Sequence, residues 1–456
     1  MSSSEQMRRV ILIGSLLSAG LLAGCATYRA LPLPVGPDLS ASLSLEVPSS
    51  EFAHTRRNQP QWDTTKGLDA TEIMTLAVVN NPELKAARLR EGLASAQLLE
   101  AGLLPDPRIG ASVEQSSTLT GYSVGLSEDI RSLLTRGAKV KAARSHVRQV
   151  NLAVTWMEFQ VAEKARELFI EIVANEQLGR VLGRMRSLQA ARVEAEQREV
   201  ARGALSADES SLQLAALNGI DVRRSRLSLN EEAARHALAE MLGLRPDARL
   251  RLAPGSEAAS LSAAQLKTAM SGLPRHRADL LALQAGYESQ EQSLREAVLA
   301  QFPAISVGIQ KGRSADGGVR TVGLGVDLTL PLFNRNSGRI AVERATRAAL
   351  RQEYQSRLDA AVSEADEVWE AGRLTERQLS GLEARLGNLR KASDAARKSF
   401  ERGELSWGRY ASLRAAELET EMEALRLKET LARDQSALTL LLGLPLDGWS
   451  PPGPKR

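Results

Sequence analysis

Apolar positions along this chain recur with two different periods. In residues 109–114, 122–127, 305–310 and 322–330, apolar residues alternate with small or polar ones. A period of two is typical of half-buried strands. The pattern therefore predicts two pairs of strands, at about 107–130 and at about 303–331, each pair joined by a polar turn.

The longest helical patterns lie in two segments without proline, residues 108–245 and 332–444. Proline is excluded from helix interiors because its ring removes a hydrogen bond and clashes with the preceding turn. Small and medium-sized apolar residues recur there on one stripe, as at Leu413, Ala416, Leu418 and Met422, which suits close helix packing. We expect long helices at 137–201 and 338–402, each about 100 Å long at 1.5 Å per residue, and returning helices at 206–241 and 406–442.

The chain is an internal duplication. Residues 202–206 read Arg-Gly-Ala-Leu-Ser and residues 402–406 read Arg-Gly-Glu-Leu-Ser, and each motif lies between a long helix and its returning helix. The returning helices also end alike, in Leu-Gly-Leu at 242–244 and 442–444. A repeated motif at a fixed offset predicts a repeated structure. The glycines are placed where a helix end needs positive φ, and Ser206 and Ser406 are placed as N-caps.

Each repeat is also predicted to begin alike, with a short helix, a proline turn and a second helix before the strands. The expected turns are at residues 80–82 in the first repeat and 272–274 in the second. The expected helices lie at 69–79 and 83–103, and at 262–270 and 275–301.

The amino terminus has the features of a secretory signal. A basic pair at residues 8–9 precedes an apolar run at 10–23 that is too short to span a bilayer comfortably. The run ends in Leu-Ala-Gly-Cys, which resembles a bacterial lipobox, and Cys25 is the only cysteine. We therefore predict a signal peptide at 1–24, lipidation of Cys25, and an extended linker at 25–65 that is rich in proline and serine. The alternative is an ordinary secretory signal with an incidental cysteine, and translation could equally start at Met7.

Composition and motifs exclude several other functions. Aromatic residues make up only 4% of the chain, which favours long packed helices over a bulky mixed core. The net charge of +4 comes from interleaved acidic and basic residues, so we expect no nucleic-acid partner. Four scattered histidines give no metal-ligand spacing, and no catalytic arrangement is recognisable. We expect no enzyme, metal or cofactor, and we attribute Gly323 and Gly325 to packing within a strand.

Together, the lipobox, the duplication, the strand pairs and the glycine tips resemble the TolC-like outer-membrane factor family over residues 66–446. The fold class is then mainly α with a small β part. The resemblance implies a homotrimer in the outer membrane whose protomers share a twelve-stranded β-barrel, four strands each, continued by a periplasmic α-helical barrel. It also implies a periplasmic adaptor (a membrane fusion protein) and an inner-membrane pump of the resistance-nodulation-division (RND) type as partners. The domains are a first repeat at 66–256, a second at 257–446 and a tail at 447–456.

The segment Pro-Leu-Phe-Asn-Arg-Asn-Ser-Gly at residues 331–338 resembles family members that serve pumps for divalent metals. Its counterpart at 131–139 has diverged. The structural interpretation is that the proline ends the strand and that Asn336 or Ser337 caps the long helix. Export of metal cations is therefore the predicted function, with export of other toxic solutes or of proteins as alternatives.

By position from the tip glycines, the family's aperture residue falls on Glu209 in the first repeat and on Arg409 in the second, which departs from the usual aspartate. The two could form a salt-bridged gate, or both could be solvated helix charges. Candidate adaptor contacts are Gly203, Leu205, Gly403 and Leu405, which could equally do no more than close the hairpins. Two rival arrangements stay open: surface strand hairpins that cap a soluble bundle, and a periplasmic scaffold lipoprotein that conducts nothing.

Overall fold

The computed structural model describes residues 28–41, 66–115, 120–204, 206–253, 261–314 and 319–445. The predicted signal peptide, Cys25, most of the linker and the tail at 447–456 lie outside these ranges. The chain divides into two compact units, residues 1–39 and residues 40–456. In the first unit, residues 28–39 contain neither helix nor strand.

The second unit contains both repeats, and each repeat has the same order of elements. The first repeat consists of α1 Ala70–Asn80, α2 Pro82–Gly102, β1 Arg108–Gln115, β2 Thr120–Asp129, α3 Ile130–Ala201 and α4 Ala207–Met241. The second consists of α5 Ala263–His276, α6 Ala278–Leu299, β3 Ala304–Arg313, β4 Arg320–Thr329, α7 Ser337–Glu401 and α8 Trp407–Leu441. The predicted duplication of helices and strand pairs is present within the described residues.

The four strands form one antiparallel sheet in the order β1-β2-β3-β4. The two predicted hairpins are therefore joined through β2 and β3, which pair from Tyr122 with Arg313 to Asp129 with Ser306. The repeats are joined in the sheet by hydrogen bonds of the main chain, because β2 of the first repeat and β3 of the second share one antiparallel ladder.

Capping side chains set the starts of the short helices. Asp69 and Glu72 form a capping box before α1, and Ser262 and Gln265 form one before α5, which satisfies free backbone donors at each start. The proline turn predicted at 272–274 is wrong, because α5 continues through Pro274 to His276. In the first repeat the break does occur, since Asn81 caps α2 and Pro82 opens it, where a missing N–H costs nothing.

The two repeats differ most where strand passes into helix. In the first repeat α3 follows β2 without a break, because the Asp129 side chain accepts a hydrogen bond from the Arg131 amide at 2.9 Å. This start is earlier than the predicted residue 137. In the second repeat Pro331 interrupts the chain after β4, and α7 begins only at Ser337.

Each repeat has its own hydrophobic core around its short helices. The core of the first repeat includes Ile73, Met74, Leu76, Phe169, Ile172 and Leu238. The core of the second includes Leu266, Leu273, Leu280, Ala361, Ala365 and Leu438. A third cluster joins the long hairpins of the two repeats, with Leu178, Leu182 and Met185 from α3 packed near Ile220, Leu418 and Met422. The apolar stripe predicted on the last helix thus packs, at Leu418 and Met422, between the repeats.

Among the described residues, no helix is both long enough and apolar enough to cross a membrane.

Candidate functional site

Both hairpin tips are closed by the same backbone motif. Gly203 and Gly403 have φ of +73° and +76°, a region that side chains other than glycine rarely enter. In the first tip the Ala204 amide donates to the Glu199 carbonyl at 2.9 Å, and in the second the Glu404 amide donates to the Ser399 carbonyl at 2.9 Å. These are Schellman motifs, which satisfy the last carbonyls of a helix. The predicted positive φ at both glycines is confirmed.

The second tip is reinforced by side chains. Phe400, Trp407 and Tyr410 form a cluster whose ring centroids are 5.4 to 5.7 Å apart. Arg402 pairs with Glu404 across the glycine at 2.8 Å, and this hydrogen bond lowers the pKa of the Glu404 carboxyl. Aromatic pairs at such distances contribute beyond the area that they bury. Side-chain contacts therefore stabilise the tip between α7 and α8 in addition to its backbone hydrogen bonds.

The predicted tip and aperture residues are only partly described. Gly203 and Gly403 are exposed, Leu405 is half-buried, and Arg409 is exposed at the start of α8. Leu205 and the side chain of Glu209 lie outside the described residues. The predicted pairing of Glu209 with Arg409 therefore stays a prediction. Ser406 occupies the predicted N-cap position, but its side chain makes no capping hydrogen bond.

A groove of about 790 Å³ runs between α3 and α8 on the side of the second tip. Its lining includes Arg180, Arg184, Trp407, Tyr410 and Arg414. The Trp407 indole nitrogen is buried and has no hydrogen-bond acceptor within the described residues. Buried indole N–H groups usually have a partner, so this one is an exception. Arg180, Arg184 and Arg414 give the groove a basic wall.

Sequence reasoning missed this groove, although part of its signal was available. Trp407, Tyr410, Arg414 and Leu418 are spaced by three, four and four residues, which places them on one helix face. Their partners on α3 could not be found, because the pairing of two long helices from different repeats depends on tertiary register.

Ion pairs join the two hairpins above the groove. Arg184 on α3 contacts Glu421 on α8 at 2.8 Å, and Arg223 on α4 contacts Glu419 at 3.0 Å. All four side chains are partly exposed, so each pair contributes little to stability on its own. The two ion pairs instead help to fix the register of α3 and α4 against α8.

Three carboxyl groups on α3 and α8 have a raised pKa. Burial, reinforced by the negative charge of Glu167, raises the pKa of Glu163. Burial also raises the pKa of Glu429 and of Asp434. Burial penalises the charged form of a carboxylate, so these groups cost stability when they are ionised.

The sheet has one apolar face and one polar face. The side chains of Ile109, Val113, Val124, Leu126, Ile309, Val322, Leu324, Val326 and Leu328 share one face by strand register, and all of them are exposed. The opposite face carries mainly glycine, serine and threonine. An exposed apolar surface of this extent is a site of contact with lipid or with another protein.

The structure does not support the packing role that the sequence suggested for Gly323 and Gly325. A Cβ atom built on either glycine would meet nothing within 4 Å. Neither residue has a positive φ. Within the described part of the chain these glycines are therefore required neither by close neighbours nor by backbone conformation.

The segment after β4 has a structural role that differs from the predicted cap. Arg335 and Asn336 have φ of 47° and 53°, a strained region for residues other than glycine. Asn336 stands at the N-cap position of α7 but makes no capping bond. Its side-chain amide instead donates to the Ala297 carbonyl at 2.8 Å. The segment thus fastens the end of the sheet to α6.

Among the described residues, no group of histidine, cysteine, aspartate and glutamate side chains is arranged to hold a metal ion.

Comparison with known proteins identifies the fold. Residues 270–444 match the family model described as outer membrane efflux protein. This match covers most of the second repeat. A search of curated protein sequences found no match.

Solved structures match nearly the whole chain. CusC superposes with a TM-score of 0.68 at 15% identity, covering 91% of this chain and 99% of that one. A membrane protein from Pseudomonas aeruginosa gives a TM-score of 0.70 at 16% identity, covering 94% and 100%. The CmeC outer membrane channel of Campylobacter jejuni gives 0.67 at 16% identity, covering 92% and 95%.

The chain therefore has the fold of TolC-like outer-membrane factors. The predicted resemblance and the mainly helical fold class with a small sheet are confirmed. Outer-membrane efflux proteins are channels and not enzymes, in agreement with the prediction of a protein without catalytic activity.

Proposed function

We propose that the chain is one protomer of a trimeric outer-membrane duct that passively conducts solutes from an inner-membrane pump and a periplasmic adaptor to the exterior. The observation that carries this proposal is the exposed apolar face of the sheet, from Ile109 on β1 to Leu328 on β4. In lipid every strand edge must be paired, so four strands need further strands to close a barrel. Three protomers with four strands each would supply twelve.

Strand length supports a membrane-spanning sheet. The strands β2, β3 and β4 each have 10 residues, and about 9–11 tilted residues cross an outer membrane. The alternation of an apolar face with a small, polar face also fits a barrel with lipid outside and water inside. A soluble cap would leave the apolar face in water, which is costly.

The adaptor is proposed to bind at the hairpin tips, with Gly203, Leu205, Gly403 and Leu405 as contacts. The groove beside Trp407 extends this surface, because Arg180, Arg184 and Arg414 in its lining could receive carbonyl or acidic groups of the partner. Glu209 and Arg409 are proposed to line the periplasmic aperture. Charged rings at a constriction control which ions pass.

Lipidation of Cys25 is proposed as the second attachment to the outer membrane. Its support is the Leu-Ala-Gly-Cys sequence and the position of the only cysteine. A lipid anchor of this kind would add to the attachment that the embedded barrel itself supplies.

Divalent metal cations are the proposed substrate, with multidrug or other small toxic solutes as the second candidate. The support is the resemblance of residues 331–338 to metal-pump members. Because the duct is passive, substrate choice would reside mostly in the pump. The partner pump is accordingly proposed to be of the RND type.

The test is the susceptibility of a deletion strain complemented with the full-length chain. Sensitivity to zinc, cobalt, nickel, cadmium or copper alone would support metal export, whereas sensitivity to dyes, detergents and antibiotics would favour the second candidate. A Glu209→Gln/Arg409→Gln double variant should alter conductance and efflux if the aperture assignment is right. Unchanged conductance and efflux would refute that assignment.

Fractionation separates the duct from the periplasmic scaffold. The duct requires heat-modifiable trimers in the outer membrane and channels in planar bilayers. Absence of the chain from the outer membrane would refute the duct, and a chain that forms no channels in planar bilayers would favour the scaffold. Outer-membrane trimers without a phenotype in either susceptibility panel would point to another export route or a redundant duct.

A further inference from the structure

Arg433 on α8 joins the second repeat to the first through a glutamate of α3. Its Nη2 donates to the Glu171 carboxylate at 2.9 Å. The same nitrogen lies 3.0 Å from the carboxylate of Glu429, one turn earlier on α8. Two carboxylates, one from each repeat, therefore share a single nitrogen atom of one cation.

Glu429 is the less well solvated of the two carboxylates. Only 18% of its side chain is exposed, against 28% for Glu171 and 34% for Arg433. The Nε of Arg433 is buried and has no hydrogen-bond acceptor within the described residues. A buried carboxylate keeps its charge only where hydrogen bonds replace the lost water. The nitrogen that could do this for Glu429 already donates to Glu171.

A similar bridge on α4 is more complete. Arg235 donates to Glu231 of its own helix from both Nε and Nη2, at 3.1 and 2.9 Å. It also contacts Glu176 on α3, and its Nη1 donates to the Leu250 carbonyl at 3.4 Å. Glu231 thus receives hydrogen bonds from two nitrogens, whereas Glu429 shares one.

The charges around Glu429 leave it easier to protonate than an ordinary glutamate. Burial raises the pKa of the Glu429 carboxyl, and the charge of Glu171 reinforces this, while Arg433 and Arg426 oppose it. Asp434, the residue after Arg433, also has a pKa that is raised by burial. Both carboxyl groups of α8 therefore favour the neutral form.

Charged groups next to this bridge on the helices that pack against α8 have other partners. On α7, Glu383 pairs with Lys428 at 2.8 Å. On α3, Glu167 pairs with Lys164 at 2.6 Å. The competition for Arg433 therefore lies between the two glutamates that contact it.

We propose that Arg433 is an acid-strengthened bridge between the repeats, in which Glu429 competes with Glu171 for the guanidinium and gives way when it takes up a proton. A neutral Glu429 no longer attracts the cation, so Arg433 can pair with Glu171 alone. The bridge lies within one chain, so it is independent of assembly into a duct.

The direction of the effect follows from the raised pKa of Glu429. The folded protein holds this proton more tightly than the unfolded chain does. The stability gained is fully present below about pH 4.3, the ordinary glutamate pKa. It is lost as the pH rises through the raised pKa of the folded state. The pairing of α8 with α3 should therefore be firmest in acid and loosen toward neutral pH.

Hydrogen exchange of the detergent-purified full-length protein tests this bridge. Amides of α8 at residues 429–437 are followed from about pH 4 to neutral pH in the wild type and in Glu429→Gln, which imitates the protonated glutamate. Comparing the two proteins at each pH cancels the pH dependence of the exchange chemistry. Both should exchange alike at the acid end, and Glu429→Gln should exchange several-fold more slowly at neutral pH.

Glu231→Gln is the matched control, because it makes the same change in the bridge on α4. This substitution weakens two charge-assisted hydrogen bonds from Arg235, so exchange in α4 should become faster at neutral pH. If Glu429→Gln does not fold, Glu429→Leu serves in its place with the same expectation, since position 229 of the first repeat has leucine.

Three results would overturn the proposal. Faster exchange of α8 in Glu429→Gln at neutral pH, as in the control, would show that the ionised Glu429 stabilises the bridge. A difference from the wild type that stays constant with pH would show that no titration is involved. Equal exchange at every pH would show that Glu429 does not compete for Arg433.

Discussion

Arg277 donates a hydrogen bond from Nη1 to the main-chain oxygen of Leu441 at 3.0 Å, although 164 residues separate them. The same guanidinium pairs with Asp279 at 2.8 Å and lies over the Trp156 ring at 4.8 Å. Only 1% of the Arg277 side chain is exposed. In the first repeat Asn81 makes the equivalent contact, from its amide to the Met241 oxygen at 3.3 Å. One buried side chain therefore holds the last turn of each returning helix.

Replacing Arg277 by methionine should destabilise the protein strongly. Asp279 would keep Arg357 as its partner at 2.8 Å, but the Leu441 oxygen would lose its side-chain donor, and a buried polar group left without a partner costs about 1–3 kcal/mol. Denaturant unfolding of the detergent-purified protein measures the loss. Arg249→Met, in the exposed pair with Glu232, is the control and should cost at most about 1 kcal/mol. Equal denaturant midpoints for Arg277→Met and Arg249→Met would show that the buried Arg277 guanidinium is not important for stability.

Gly403→Val should loosen the second tip. A residue with a side chain in the left-handed region costs roughly 1–2 kcal/mol, and no neighbour blocks the new atoms, so the effect is conformational. Hydrogen exchange at the Glu404 amide, which closes the motif, should speed up. Gly408→Ala, inside α8 with open space around it, should instead slow exchange slightly, because alanine favours helix. Slower exchange in both variants would contradict the assigned strain.

Glu163→Gln should raise stability at neutral pH. Burial and the charge of Glu167 raise the pKa of Glu163, with Lys164 and Arg166 partly opposing them. The folded protein therefore holds this proton more tightly than the unfolded chain. The stability that the protein gains from this tighter proton binding is fully present below the ordinary carboxyl pKa. It is lost as the pH rises through the raised pKa of the folded state.

Thermal unfolding from about pH 4 to neutral pH measures this effect. The unfolding temperature of Glu163→Gln should fall less steeply than that of the wild type as the pH rises. Glu376, which is exposed on α7, gives the control substitution Glu376→Gln, and its curve should follow the wild type. A steeper fall in Glu163→Gln would reverse the assigned sign.

Leu324→Arg should impair assembly in the outer membrane. Leu324 is 84% exposed on the apolar face, and an arginine facing lipid near the midplane costs about 2–4 kcal/mol. The yield of heat-modifiable trimers measures the effect. Gln310→Arg is the control, because Gln310 lies on the polar face of the neighbouring strand and should assemble normally. Normal assembly of both variants would mean that the apolar face does not contact lipid.

Local patterns were enough to predict most of the fold. Alternation identified the four strands, proline-free segments identified the long helices, and the duplicated motif identified Gly203 and Gly403 as left-handed helix ends. These features depend on periods and on glycine chemistry that operate over a few residues. Helix ends without such signals were placed less well, as at α3, where Asp129 caps a helix that runs directly from a strand.

The rest depends on contacts between distant segments. Nothing local links Arg277 to Trp156 or Arg184 to Glu421, because these contacts depend on how the repeats align. The contact of Arg277 with Leu441 lies within the second repeat but joins residues 164 positions apart. The packing role expected for Gly323 also has no neighbour within the described chain, where a Cβ atom on this residue would meet nothing within 4 Å. The aperture pair of Glu209 and Arg409 stays a prediction.

The two returning helices have the same length, 35 residues, and the left-handed glycines around them are equally spaced, 203 to 243 and 403 to 443. The outgoing helices have 72 and 65 residues, a difference of 7 that lies entirely at the sheet end. Seven residues turn a helix face by only about 20°. A variant that is evolved or engineered for a cell envelope of different depth needs longer or shorter hairpins. It should therefore gain or lose whole heptads in α3, α4, α7 and α8 together. A heptad inserted into only one of these helices would move Arg184 away from Glu421 and shift the register between the two hairpins.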